Sequence, residues 1–231
     1  MNWNTILFVI FPYVALIVAV IVGIYRSIYR PFTISSLSSQ LLENKQLYWG
    51  SISFHWGIVL ILLMHLLAVI FPQSIILWNA QPLRLYLLEL SGLALGLWSL
   101  VGLVVLIWRR ATQPRIRAVT SPIDRLILLL LVVSVVTGVI MAVAYRFGSY
   151  WFTGVFTPYL LSLFTLQPRV DLVAPLPWLI KLHVVNFFVL LLIFPFSRLI
   201  HIFTYPFGYL LRPWQIVIWY RKRSAASRST S

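Results

Sequence analysis

The stretch Trp178–Phe203 reads WLIKLHVVNFFVLLLIFPFSRLIHIF, and Leu47–Phe71 reads LYWGSISFHWGIVLILLMHLLAVIF. Each is apolar enough and long enough to cross the roughly 30 Å hydrocarbon layer of a bilayer as a helix. Together they hold all four histidines of the chain: His55 and His65 on one, His183 and His201 on the other. An imidazole in such a run loses its hydration unless it is bonded to something. Ionisable side chains inside a membrane segment are therefore functional candidates by default.

The rest of the chain has the same character. Of its 231 residues, 61% are hydrophobic and 10% charged, which is far from the balance of a soluble domain. Three further runs, Thr5–Ile24, Leu83–Trp108 and Arg125–Tyr145, complete a set of five. The expected fold is an all-α membrane protein with five transmembrane helices, multi-pass in the cell (cytoplasmic) membrane. Residues 1–205 form one five-helix domain and 206–231 a cytoplasmic tail. The tail's last part, Arg221–Ser231, is basic and Ser-rich, and is expected to be disordered.

Charge sets the orientation. The net charge is +14. With the N-terminus outside (periplasmic) and the C-terminus cytoplasmic, 14 of the 18 Lys and Arg residues fall on the inner side. Only Arg84, Arg146, Arg169 and Lys181 remain outside. This is a strong positive-inside bias, and anionic headgroups rather than nucleic acid account for it. The start, Met1-Asn2-Trp3-Asn4, has no basic leader region, so the first run reads as a retained helix. No cysteine is present, which excludes disulfides, thiolate zinc sites and iron–sulfur clusters held by this chain.

The connections carry their own signals. Pro72–Pro82 reads as a short outer loop, and Arg109–Arg125 as a basic inner one. Arg146–Pro177 is long yet apolar and aromatic, which suits an interfacial or re-entrant piece better than a free loop. Pro195 is expected to kink the fifth helix. Tyr205–Tyr220, with aromatics between prolines, reads as an inner-surface segment suited to docking a partner.

Helix geometry then tests the histidines. The second and fifth runs are antiparallel, so His65 and His183 share the outer half of the membrane and His55 and His201 the inner half. Along their own helices His55 and His65 are separated by about 15 Å, and His183 and His201 by about 27 Å. Tilt, the Pro195 kink and a slanted cofactor must absorb that mismatch. At about 100° per residue, His183 and His201 point the same way, and His55 and His65 are offset by about 80°. Zinc and copper sites gather three or four ligands at one place. Two imidazoles per level suit the two axial positions of a haem, and two haem b groups, stacked across the bilayer, are the expected cofactors. Arg198, one turn before His201, has two readings: a partner for an inner-haem propionate, or an interfacial anchor. Gly57, Gly92, Gly96 and Gly138 either make room for porphyrin edges or let helices pack closely.

The run Lys181-Leu182-His183 through Phe194-Pro195-Phe196-Ser197-Arg198-Leu199-Ile200-His201-Ile202 closely resembles the gamma subunit of respiratory nitrate reductase, a dihaem cytochrome b. Phe54-His55-Trp56-Gly57 with His65, Trp108-Arg109-Arg110 followed by Pro114-Arg115-Ile116-Arg117-Ala118, and Ser38-Ser39-Gln40 agree with it, so the resemblance covers nearly the whole chain. It implies a quinol-oxidising subunit. His65 and His183 would hold the outer haem and His55 and His201 the inner one. Electrons would pass to a cytoplasmic iron–sulfur beta subunit, then to a molybdenum-cofactor alpha subunit where nitrate is reduced. Members of that family carry a lysine at the start of the third helix, implicated in the quinol (menaquinol or ubiquinol) site. The matching position here is Arg84, which can donate to a quinone carbonyl but cannot act as a base. Glu89, further into that helix, either takes quinol protons or forms a salt bridge or snorkels. Rival readings are a related cytochrome b of sulfur metabolism and a haem-free transporter or assembly protein.

Overall fold

The computed structural model describes residues 2–29 and 45–202. The inner loop around Ser35–Ser39 and the tail from residue 203 onward, including the proposed docking segment, lie outside the described residues. Among the described residues the chain is all-helical, with no strand. Five helices are long and apolar enough to cross a membrane: α1 Trp3–Tyr29, α2 Lys45–Ile70, α3 Pro82–Thr112, α4 Pro122–Ala144 and α5, whose span is Trp178–Phe196.

Each helix begins and ends where local chemistry requires. Pro82 and Pro122 stand in the first turns of α3 and α4, where a missing N–H costs nothing. Ser121 caps α4 through its side chain, and Asp124 returns the bond to the Ser121 N–H at 3.0 Å, completing a capping box. Arg109 and Arg110 lie in the last turn of α3, beside its free carbonyls.

The tightest packing joins α2 to α3. A Cβ built on Gly102 would lie 2.3 Å from the Phe54 backbone nitrogen, and one on Gly57 would lie 2.8 Å from the Leu95 carbonyl oxygen. The two backbones are therefore in direct contact, as small residues permit in membranes. Next to this seam, Phe54, Leu103 and Val135 form a small core joining α2, α3 and α4. Further along the bundle α3 packs on α4, α4 on α5, and α5 on α1. The result is an open arc whose two histidine-bearing helices, α2 and α5, face each other across its interior.

Two segments depart from the sequence expectation. The expected outer loop Pro72–Pro82 is mostly a helix, Pro72–Asn79, started by Pro72 at its first position. The fifth run is broken rather than kinked: the α-helix stops at Ile193, and 3₁₀ turns cover Phe194–Phe196 and Arg198–Ile200. Between them Ser197 is extended, with φ −107° and ψ 178°. Pro195 removes one N–H, and the Ser197 side chain competes for the rest, donating to the Phe194 carbonyl at 2.9 Å and accepting from the Leu199 N–H at 3.1 Å. Arg26 of α1 donates to the Pro195 carbonyl and ties this break to the bundle.

The apolar stretch after Arg146 is embedded, as its composition suggests. Gly148–Trp151, a π turn at Phe152–Phe156 and a helix at Thr157–Phe164 follow one another. Phe156, Tyr159 and Leu163 join Phe8, Val184 and Phe188 in the larger core. Tyr159 is fully buried and donates to the Phe8 carbonyl at 2.9 Å, and burial pushes its phenol well above the ordinary value.

Candidate functional site

The four histidines are prepared in one way. His55 Nδ1 lies 2.8 Å from the Ser51 carbonyl oxygen, His65 Nδ1 2.8 Å from that of Ile61, and His201 Nδ1 2.6 Å from that of Arg198. A carbonyl can only accept, so in each neutral ring Nδ1 carries the proton and Nε2 the lone pair. His183 reaches the same state by another route. Its Nδ1 is 2.7 Å from the Thr137 hydroxyl, whose single proton goes to the Val133 carbonyl at 2.5 Å. Thr137 must therefore accept from His183. Four rings in the Nδ1–H tautomer could each offer Nε2 to a metal, with their outer partners already in place.

One pair comes together directly. His55 and His201 stand with ring centroids 6.1 Å apart. Two imidazoles bound to one metal from opposite sides, with bonds of about 2.0 Å, place their centroids about 6.3 Å apart. Towards the other end of the bundle, His183 stands against Gly138 of α4, where a built Cβ would lie 3.5 Å from its Cε1. Phe152, in the π turn, meets the His65 ring edge-on at 4.9 Å. Among the described residues no three His, Asp or Glu side chains gather as a metal cluster, so each level offers two nitrogens. That donor set fits the axial positions of a haem and not a tetrahedral ion. The break in α5 takes His201 off the helix that carries His183, so an unbroken helix no longer sets their separation.

Around the His55–His201 level the chemistry is cationic. A cavity of about 130 Å³ beside His201 is lined by Arg110, Arg198 and Asp124, among others. Arg198 Nε pairs with the Asp124 carboxylate at 3.1 Å, and Asp124 is only 6% exposed. Arg198 is thus neither a free anchor nor a free cation. It is held by a buried acid at the edge of the cavity, and its carbonyl in turn holds His201.

The other end is neutral and acidic. Glu89 Oε1 accepts from the Ser149 N–H at 2.9 Å and from the Ser149 hydroxyl at 2.6 Å. Asn79 Nδ2 donates to the same hydroxyl at 2.9 Å, and the Tyr150 hydroxyl donates to the Asn79 carbonyl at 2.7 Å. Asn79 Oδ1 and Trp151 Nε1 are buried without a hydrogen-bond partner, and such groups cost free energy unless something binds them. Of the alternatives for Glu89, the salt bridge is not formed among the described residues; Ser149 holds the carboxylate. Arg84 is exposed and lies over the Trp78 ring, 5.5 Å from its centroid. It makes no bond to the Glu89 cluster.

Sequence comparison places these pairs in a known setting. The family model described as nitrate reductase gamma subunit matches residues 4–220, nearly the whole chain. The chain belongs to the nitrate reductase gamma subunit family. It is 34% identical to the nitrate reductase gamma chain of Bacillus subtilis (strain 168), over 95% of this chain and 98% of that one. It is 34% identical to the respiratory nitrate reductase 1 gamma chain of Escherichia coli (strain K12), over 93% and 96% respectively. A nitrate reductase-like protein, NarX, of Mycobacterium tuberculosis (strain H37Rv) is 31% identical over 92% of this chain, which spans 33% of that longer protein. As a gamma subunit the chain is a multi-pass membrane protein and one part of an oxidoreductase complex with further subunits.

The glycine readings divide. Gly57 and Gly96 serve close helix packing, with a built Cβ at Gly96 meeting Val139 at 3.2 Å. Gly138 instead faces an imidazole, since its Cβ would lie 3.5 Å from His183 Cε1. Thr137, Ser149, Phe152 and Asn79 escape sequence reasoning, because short polar and aromatic side chains in apolar runs carry no periodic signal. Asp124 was findable: Ser121-Pro122-Ile123-Asp124 has the spacing of a capping box.

Proposed function

We propose that this gamma subunit is a dihaem cytochrome b that oxidises quinol at the His65–His183 level. It delivers the electrons, past the His55–His201 level, to an iron–sulfur subunit and on to a molybdenum-cofactor subunit that reduces nitrate. The observation that carries this reading is the shared tautomer of the four histidines, with the bis-imidazole spacing of His55 and His201. Haem supplies the one-electron redox chemistry that the two-electron oxidation of a quinol requires.

The chain's own residues do the remaining work. Ser51, Ile61, Thr137 and Arg198 fix the ligand rings through Nδ1 and raise the basicity of Nε2. Arg198, with Arg110, provides guanidinium donors for carboxylates of a macrocycle at the inner level. Glu89, held by Ser149, is placed to accept a quinol hydroxyl proton, and Arg84 to donate to a quinone oxygen from the membrane edge. The excess of arginine at the His55–His201 end supports a cytoplasmic placing of that end, with the N-terminus outside and the complex in the cell membrane.

Reduced-minus-oxidised spectra of the purified chain test the reading. Two b-type haems per chain are expected. His65→Ala and His183→Ala should lose the same haem, and His55→Ala and His201→Ala the other. One haem or none in a folded preparation, or His55→Ala and His183→Ala losing the same haem, overturns it.

A further inference from the structure

Between α3, the short helix Pro114–Ala118 and α4 lies a groove of about 460 Å³ that the electron-transfer reading does not use. Arg110, Arg117 and Arg125 stand around it, and Leu128, Leu129 and Val132 of α4 line its deeper wall. The guanidinium groups of Arg117 and Arg125 make no bond to another described residue, and both residues are exposed. Arg110 spends one N–H on the Thr120 hydroxyl at 3.2 Å.

Among the described residues no acid lines the groove. The whole sequence has four acidic residues. Asp124 is the nearest described one, and it is committed to Arg198 and to the α4 cap. Asp171 is paired with Arg169. Glu89 is 21 positions up α3 from Arg110, about 30 Å along a helix. Arg117 and Arg125 therefore face this space with no acidic partner among the described residues, while Arg110 behind them shares a second cavity with Asp124.

We propose that this groove is a specific site for an anionic phospholipid. Its phosphate would be held by the Arg117 and Arg125 forks with Arg110 behind them, and one acyl chain would lie along α4 over Leu129 and Val132. Arginine forks suit phosphate oxygens, and basic pockets between membrane helices are recognised sites for anionic headgroups. The shape selects lipid over an acidic segment of a soluble partner. The wall below the arginines runs onto the apolar flank of a membrane-spanning helix, where Leu129 is 59% exposed. A polar partner segment would gain nothing there, whereas an acyl chain would. The proposal does not depend on haem, since no histidine lines this groove.

Native mass spectrometry of the full chain, titrated with phosphatidylglycerol and with phosphatidylcholine, tests it. The wild-type chain should prefer phosphatidylglycerol at least ten-fold. Arg117→Gln with Arg125→Gln should weaken that lipid about thirty-fold, from roughly five-fold per cation near a charged headgroup. Removing two positive charges elsewhere, by Arg146→Gln with Arg169→Gln, should leave binding unchanged. Leu129→Gln should weaken phosphatidylglycerol while leaving competition by glycerol 3-phosphate and inorganic phosphate as it was. Equal retention of the two lipids, or full binding by the Arg117/Arg125 double variant, overturns the site. So does equally strong binding of glycerol 3-phosphate or inorganic phosphate, which would make it an anion site without a lipid. If the groove binds no lipid but is protected from arginine-modifying reagents once the other subunits assemble, it is a protein interface and the proposal fails.

Discussion

Replacing Gly102 with Ala should do more damage than a single methyl suggests. The added Cβ would meet the Phe54 backbone nitrogen at 2.3 Å, the Gly50 carbonyl oxygen at 2.8 Å and the Phe54 Cα at 2.9 Å. Ordinary carbon contacts begin near 3.5 Å, so α2 must retreat by roughly 1 Å. Every clashing atom is backbone, and no rotamer change relieves it. Overpacking of this kind costs about 1–3 kcal/mol. The displacement also reaches the site, because His55 follows Phe54 directly. A retreat of about 1 Å would spoil the 6.1 Å spacing between the His55 and His201 rings, and metal–nitrogen bonds tolerate only a few tenths of an ångström. The expected result is a less stable protein that keeps the outer haem and loses most of the inner one. Unfolding in mixed detergent micelles followed by helicity, with haem counted by spectroscopy, measures both effects. Gly23→Ala is the control, since a Cβ there meets nothing within 4 Å. It should be neutral, or stabilising by up to about 1 kcal/mol. If Gly102→Ala matches Gly23→Ala in stability and haem content, the two backbones are not in contact and the reasoning fails.

Three further outcomes follow from single contacts. Thr137→Val removes the acceptor that orients His183 and should weaken the outer haem about 10–100-fold, as loss of a partner behind a metal ligand does; equal haem retention in a competition with apomyoglobin would refute it. Asp124→Asn removes the charge that holds Arg198; it should cost about 1.5–3 kcal/mol, as for bonds to charged groups, and shift the inner-haem spectrum, while an unchanged electron paramagnetic signal would show that Arg198 does not position His201. Glu89→Gln should slow quinol oxidation and change its pH profile with haem content normal, whereas an unaltered profile would reduce Glu89 to a clasp for Ser149.

The bundle is legible in the sequence because bilayer thickness leaves few options. The first run was expected over Thr5–Ile24 and extends over Trp3–Tyr29, and the third widens from Leu83–Trp108 to Pro82–Thr112. The extra turns lie beyond the apolar runs: proline fits a first turn, and Arg109 and Arg110 sit beside the last free carbonyls of α3. The histidines were legible too, since imidazoles in apolar runs need partners. What stayed hidden depends on contacts between distant segments. The Arg198–Asp124 pair joins positions in different spans. The Glu89–Ser149 bond links α3 to the segment after α4. Neither has a spacing that periodicity could reveal. The break after Ile193 was half visible: Pro195 signals it, but the Ser197 bonds that turn a kink into a stop depend on side-chain geometry.

That break has an evolutionary corollary. On an unbroken helix, His183 and His201 would be locked in phase, and a one-residue insertion anywhere between them would swing one ring by about 100°. Here the extended Ser197 isolates the two ligands like a universal joint. Length changes near the joint are absorbed by 3₁₀ turns and leave His183 where it was. The two histidine positions can therefore drift, or be re-engineered, one at a time.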